Sequence, residues 1–307
     1  MANTVSSEPA ARAQRSTEIS TFSFALIVSI PVLLFLLVVV AYPLAYAFYL
    51  SFNEIRFFGG YSAEWVGLQN YAQVLSDQSF WSSLGQTFQF TVETVILTLA
   101  VGLGLALILK HLPGKWRWLR AMIILPWAVS PYGAGIFFAY LGRGQTGVGT
   151  AVSAMFGSSD TINLISSRFV LEYLAVGAAW NMAPLVAFFL LANMLTTPER
   201  LYDLAKIDQM SRLETFWHVT LPPLRFTLFV FTCITTVLAM KTFDYIFTET
   251  QGGPGGASSV LTYTLYKISF INLDLGYGAA MSFFLLAAIL ISTGILYFLW
   301  GRKEERK

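Results

Sequence analysis

The sequence predicts an all-α, polytopic membrane protein with six transmembrane helices and both termini in the cytoplasm. Three observations carry that class. Of the 307 residues, 56% are hydrophobic and only 12% are charged, about half the charged share of an ordinary globular domain. Uncharged runs cover 19–53, 121–142, 173–198 and 275–301, the run 78–109 is broken only by Glu93, and 226–240 is uncharged up to Lys241. A helix needs roughly 20 apolar residues to cross the hydrocarbon of a bilayer, and each of the longer runs meets that length. The basic residues, finally, collect in alternate connections.

Taken in order, residues 1–20 form a polar tail with Glu8, Arg12, Arg15 and Glu18. It is long for the charged region of a signal peptide, and the apolar run behind it is too long for a signal core. The first span is therefore a retained helix near 22–50. Further spans are expected near 83–109, 121–141, 169–195, 226–247 and 278–300. The transmembrane domain covers 21–301 with a large loop at 196–225, and 302–307 forms a second tail. A sheet-rich fold is excluded, because an open-edged sheet cannot face lipid and the runs lack the alternation of barrel strands.

Orientation follows from Lys and Arg. One side holds Arg12 and Arg15; Lys110, Lys115, Arg117 and Arg120; Arg200, Lys206, Arg212 and Arg225; and Arg302, Lys303, Arg306 and Lys307. The other holds Arg56, Arg143, Arg168 and Lys267, and Lys241 falls within a span. The positive-inside rule places the richer side, with both termini, in the cytoplasm. The outward loops 51–82, 142–168 and 248–277 are rich in Gly, Ser, Asn and aromatics. Trp65, Tyr71 and Trp81 read there as an interfacial aromatic belt, with docking of an external partner as the second reading.

Catalytic patterns are lacking. Residues 142–147 match G-x-G-x-x-G, but after an apolar helix rather than a strand and on the outward side, where no nucleotide waits. No P-loop occurs. His111 and His218, the two histidines, stand without Cys or carboxylate clusters, so neither a metal site nor a hydrolytic set is expected. Cys233, the one cysteine, reads as a small buried hydrophobe. Scattered cations and a net charge of +2 give no footprint for nucleic acid. No catalytic residue, metal ligand or cofactor site is assigned to this chain.

The loop at 196–225 differs in kind. Thr197 reads as an N-cap and Pro198 as the first helical residue of a short amphipathic helix. Leu201, Leu204, Ala205 and Ile207 lie near one face, while Arg200, Asp203 and Lys206 face elsewhere. Phe216, Trp217, Val219 and Leu221 form a second apolar patch before a stop at Pro222-Pro223. So apolar a loop calls for a protein partner or the membrane surface.

This loop resembles the coupling loop of binding-protein-dependent ABC importer permeases, whose pattern is E-A-A-x3-G-x9-I-x-L-P. Asp203, Leu204 and Ala205 fall on E-A-A, Gln209 on the glycine, Val219 on the isoleucine, and Leu221-Pro222 match. Gln in place of Gly means that the turn either avoids positive φ or holds Gln209 under strain. Asp203, a residue shorter than Glu, reaches less far towards an ATPase. Pro198-Glu199-x-Leu201-Tyr202, Phe243-Asp244, Thr250-Gln251-Gly252-Gly253-Pro254, Val66-Gly67-Leu68-x-Asn70-Tyr71 and Leu125-Pro126 resemble the sugar branch, maltose- or glycerol-3-phosphate-permease-like. The resemblance runs over 22–300.

It implies a permease subunit of an ATP-driven importer for a carbohydrate or sugar derivative, working by alternating access in a bacterial inner membrane. The implied partners are a second permease, two ATPase subunits that bind ATP and Mg, an extracytoplasmic solute-binding protein, and membrane lipid. Asp203, Leu204, Ala205, Asp208, Gln209, Leu221 and Pro222 would serve ATPase coupling. Met182 and Leu185 fall where the maltose-type family contacts substrate, next to Asn181 and to Trp180, whose ring is suited to stack on a sugar. Lys241 and Thr242, followed by Phe243 and Asp244, fall where that family uses amide side chains. Glu93, Trp180 and Asn181 are polar groups inside spans and are expected to face an interior cavity. Lys241 either meets an anionic group of the solute, bonds a neutral sugar, or pairs with Asp244. A polyol permease and an ion-gradient-driven carrier are the other readings.

Overall fold

The computed structural model describes residues 21–56, 62–116, 118–145, 147–165 and 168–301. The expected tails 1–20 and 302–307 lie outside them. The chain divides into two units, Met1–Tyr49 and Leu50–Lys307, and each is taken by itself.

Among the described residues, five helices are long and apolar enough to cross a membrane: Phe24–Ser51, Gln78–Lys110, Val170–Thr196, Arg212–Met240 and Leu275–Gly301. A sixth span results when Gly114–Ala128 and Pro131–Gly142 are counted together. The first of these helices exposes apolar side chains along its length, Leu33 and Leu37 among them, as a helix that meets lipid should.

The fourth span lies at the centre of the second unit. Of its most apolar window 67% is buried, against 44% in the fifth span, 28% in the second and 11% in the sixth. Its sequence explains this: Ala, Gly and Leu recur all round Val170–Thr196, so no face is reserved for solvent. The second span packs along it closely enough that a Cβ at Gly102 would come within 2.8 Å of the Val186 side chain. A small residue at that crossing is what lets two backbones approach without a hydrophobic driving force in lipid. One apolar cluster gathers Ala106, Leu190, Met194 and Leu224 at one end of these helices. A second gathers Phe90, Leu174, Ala178 and Tyr245 toward the other, and a third centres on Phe80, Leu261 and Met281.

Several expected boundaries move. The second span begins at Gln78, not 83, capped by Asp77, whose carboxylate accepts from the Ser79 amide at 2.8 Å. The third is not the straight helix expected over 121–141. It breaks after Ala128 and turns 90° into Pro131–Gly142. Val129 and Ser130 are extended, with ψ of 131° and 147°. A residue before proline is pushed out of the helical region, and Pro131 then fits the first position of a new helix.

The fifth span starts at Arg212, far before 226. Pro222-Pro223 is no stop: both prolines occupy the first turn of Leu221–Met240, entered through a π-turn at Phe216–Thr220. Backbone donors of a first turn have no acceptor of their own, so proline costs little there. The span ends at Met240 rather than 247, Lys241 caps it, and Asp244–Glu249 is a separate short helix. The first outward loop carries a small antiparallel hairpin, Asn53–Arg56 with Ser62–Trp65. Asn70, 7% exposed, donates to the Ser51 and Asn53 carbonyls and ties the hairpin to helix Gln69–Ser76. The ring of Trp65 stacks on Phe52, and Trp81 donates to the Leu75 carbonyl.

Candidate functional site: a cavity at two helix breaks and an exposed loop

The two breaks, at 129–130 and 241–243, meet. Between them lies a cavity of about 670 Å³. The third-span break contributes Trp127, Ser130 and Pro131; the fourth span contributes Ala178, Asn181, Met182 and Leu185. The second span supplies Phe90 and Thr94, and the fifth span with its break supplies Thr235, Leu238, Lys241, Thr242, Asp244 and Tyr245. The lining joins apolar surfaces to hydroxyls and one opposed pair of charges. Apolar walls with a few polar groups that fix orientation are the general make-up of a small-molecule site.

Six of the eight expected path residues line this cavity: Lys241, Thr242, Asp244, Asn181, Met182 and Leu185. Trp180 and Phe243 do not. The Trp180 ring lies 5.8 Å from Phe137 and 5.6 Å from Phe138, inside the packing of the third and fourth spans. Phe243 stacks on Phe247 at 5.1 Å and meets Tyr266 at 5.0 Å.

Asn181, on the cavity wall, also holds the fold. Its amide donates to the carbonyls of Pro126 at 2.6 Å and Val129 at 3.0 Å. These are backbone groups freed by the third-span break, and unsatisfied carbonyls are costly in a membrane interior. Both of its donors are thereby used by the fold. Lys241 is not inside a helix but at its end, and among the described residues it makes no ion pair with Asp244 within 4.0 Å. Lys241 lines the cavity, and its ammonium has no hydrogen-bond or ion-pair partner among the described residues. Glu93 does not line the cavity; one of its oxygens accepts from Gln89 at 3.0 Å.

The residues missed by sequence reasoning are hydroxyls. Thr87, Thr91, Thr94 and Thr98 run down one buried face of the second span, and Thr235 is buried on the fifth. Thr87 and Thr91 bond the preceding turn, but the Thr94 and Thr235 hydroxyls, both on the cavity, have no partner among the described residues. A threonine every three or four residues in an apolar helix was the available signal. Glu249, 6% exposed and with neither carboxylate oxygen partnered among the described residues, was also unforeseen. Among the described residues no three His, Cys, Asp or Glu side chains gather as a metal site.

The loop at 196–225 is the second feature. Its helix is Glu199–Ile207 with Pro198 as N-cap, one residue later than expected. Helix geometry separates the apolar positions that the sequence had grouped. Ala205 turns inward and is 3% exposed, whereas Leu204 and Ile207 stand outward at 44% and 74%. Asp203 faces solvent and holds Lys206 at 2.9 Å.

The helix closes in a Schellman arrangement. The Met210 amide bonds the Ala205 carbonyl at 2.9 Å, and the Gln209 amide bonds that of Lys206 at 3.1 Å. This needs a left-handed residue between them, and Gln209 takes φ 53°. Of the two alternatives left open for that position, strain is the one found. Ser211 and Glu214 then form a capping box that starts the next turn. Leu221 and Pro222 carry the chain into the fifth span.

Five or six apolar spans, a cavity where two helix breaks meet, and a separate loop with an exposed apolar face are the features of a multi-pass membrane protein. Comparison with known proteins gives the family. Residues 99–304 match the profile of the binding-protein-dependent transport system inner membrane component, and the chain belongs to that family. It is 31% identical over 266 residues, 86% of each chain, to the sulfoquinovosyl glycerol transport system permease protein SmoG of Agrobacterium fabrum. It is 32% identical to the trehalose/maltose transport system permease protein MalF of Thermococcus litoralis, covering 89% of this chain and 92% of that one. To the sn-glycerol-3-phosphate transport system permease protein UgpA of Agrobacterium fabrum it is 31% identical, covering 83% and 87%. In fold it is similar to a chain of a bacterial ABC transporter involved in the import of alginate, with a TM-score of 0.78 at 16% identity over 91% of this chain and 95% of that one.

Proposed function

We propose that this chain is the transmembrane permease subunit of an ATP-driven importer for carbohydrates or their derivatives in a bacterial inner membrane. A second permease, two ATPase subunits and an extracytoplasmic binding protein complete the machine. The termini and the loop at 196–225 face the cytoplasm. ATP and Mg belong to the ATPase subunits, and this chain is not itself an enzyme.

The loop carries the reading. Leu204 and Ile207 form an apolar face that stands exposed among the described residues, flanked by Asp203 and Asp208, and that face suits a cleft of an ATPase. Ala205 and Gln209 hold the helix in place beneath it, and Leu221 and Pro222 transmit its movement to the fifth span. Closure of the ATPase dimer on ATP then favours one arrangement of the spans over the other, which is what differential affinity for two states requires.

The cavity takes the solute. Lys241, without an ion-pair partner among the described residues, meets an anionic group, a phosphate or a sulfonate, on a sugar derivative. Two of the relatives are named for anionic solutes, sulfoquinovosyl glycerol and sn-glycerol-3-phosphate, which supports this choice. Thr94, Thr235 and Thr242 offer hydroxyls to the sugar, with Met182, Leu185 and Trp127 as its apolar walls. The test is uptake after removal of the separate ATPase. The importer reading expects uptake to stop; uptake that persists on an ion gradient overturns it.

A further inference from the structure

A second recess, of about 1020 Å³, lies beside the loop and away from its exposed apolar face. Tyr202 and Lys206 line it, one helical turn apart. They point opposite to Leu204 and Ile207, so the recess is not the face assigned above to the ATPase. Across from them stand Lys110 and His111, where the second span Gln78–Lys110 ends. Arg212 closes the rim, and the walls are apolar, with Leu107, Leu213 and Phe216.

Its charge is one-sided. Lys206 has Asp203 as counter-ion at 2.9 Å, but among the described residues neither Lys110 nor Arg212 has a carboxylate within 4.0 Å. The Lys110 ammonium instead sits 3.6 Å from the centre of the Tyr202 ring. The negative end of the second span is already covered, because the Arg120 guanidinium donates to the Leu109 carbonyl at 3.0 Å and 3.2 Å. Among the described residues no carboxylate lines the recess to oppose an anion there. Exposed Trp116 and Trp118 follow in the next connection, residues typical of the membrane–water boundary.

Cations over apolar walls at that boundary suit an amphiphile whose head is anionic, and basic pockets between helices on the cytoplasmic side hold anionic lipid headgroups. We propose that this recess binds the phosphate headgroup of an anionic phospholipid of the cytoplasmic leaflet, with Lys110 and Arg212 on the phosphate and Leu107, Leu213 and Phe216 against the glycerol and first methylenes. The proposal rests on the orientation given above. It makes the lipid a brace between the second span and the membrane-facing side of the coupling helix.

The experiment uses the complete transporter with its ATPase. Native mass spectrometry of complexes equilibrated with phosphatidylglycerol or phosphatidylcholine should show retained phosphatidylglycerol. The double variant Lys110→Gln/Arg212→Gln should weaken that retention by roughly tenfold or more, at about one kcal/mol for each basic residue, and leave phosphatidylcholine unchanged. Equal retention by wild type and variant overturns the proposal. So does displacement of the lipid by millimolar glycerol phosphate or inorganic phosphate, which marks a site for soluble anions.

A photoreactive phosphatidylglycerol added to the wild-type complex keeps the test independent of folding of the variant. Crosslinks within 107–111 or 210–216 support the site, and crosslinks only elsewhere overturn it. Co-purification of the ATPase, read on the same samples, tests the permease assignment separately.

Discussion

The loop and the cavity are built in opposite ways. The loop is local: the consecutive residues from Pro198 to Thr215 hold its helix, its Schellman turn and its capping box, through bonds between near neighbours. The cavity is assembled from four spans, and its residues lie as far apart in sequence as Phe90 and Tyr245. A local device tolerates little change at one position, because few contacts share the load. A distributed cavity should respond to substitution in proportion to the group removed.

The largest effect should come from the loop. Ala205→Glu places a charge where 3% of the residue is exposed, so it should displace the helix from its bed. Uptake and ATPase stimulation are expected to fall by on the order of 100-fold, with membrane abundance by immunoblot within about twofold of wild type. The burial of Ala205 adds a packing role to its place in the motif. Normal uptake by this variant removes the contrast between the regions.

In the cavity, Lys241→Gln should cost about tenfold in uptake of an anionic sugar derivative, the worth of one charge-assisted hydrogen bond. A neutral sugar should lose little. An equal loss for both solutes shows that the cation serves the fold rather than the solute.

Asn181→Leu sharpens the line between lining and scaffold. It leaves the Pro126 and Val129 carbonyls without their donors, at about 1–3 kcal/mol for unsatisfied buried groups. Thermal unfolding of the purified protein should register that loss, whereas solute preference should not change.

The smallest effect concerns acid. Burial pushes the Asp77 carboxyl up, but bonds from the Tyr277 hydroxyl and from the Ser79 hydroxyl and amide outweigh it and hold the group below its ordinary value. A lowered folded value means stabilisation that is complete above the unfolded value and disappears as pH falls through the folded one. Acid unfolding of Asp77→Asn should therefore show a weaker pH dependence than wild type. An unchanged profile dismisses the pairing as a stabilising contact.

The sequence disclosed the loop far better than the cavity, for the same physical reason. Asp203 to Pro222 is a contiguous pattern, and Gln209 on its glycine position left two outcomes open, a turn without positive φ or a strained left-handed residue, of which the second is found at φ 53°. The spans were legible as apolar runs. Their breaks were less so: Pro131 marks the first, but nothing from Ala239 to Asp244 is a Gly or Pro that would mark the end of the fifth span at Met240. Trp180 and Phe243 were assigned to the path because rotation about a helix axis cannot be fixed while neighbours are unknown. Asn181 was found, but its partners, the carbonyls of the broken third span, became visible only once the break was.

The most direct test of the two-part account compares Ala205→Glu with Lys241→Gln in proteoliposomes holding the purified complex and its binding protein. Ala205→Glu should abolish uptake and binding-protein-stimulated ATP hydrolysis for every solute, while Lys241→Gln should keep the stimulation and lose uptake of anionic sugars alone. Stimulated hydrolysis that survives Ala205→Glu, or that disappears with Lys241→Gln for a neutral solute, contradicts the division of labour between loop and cavity.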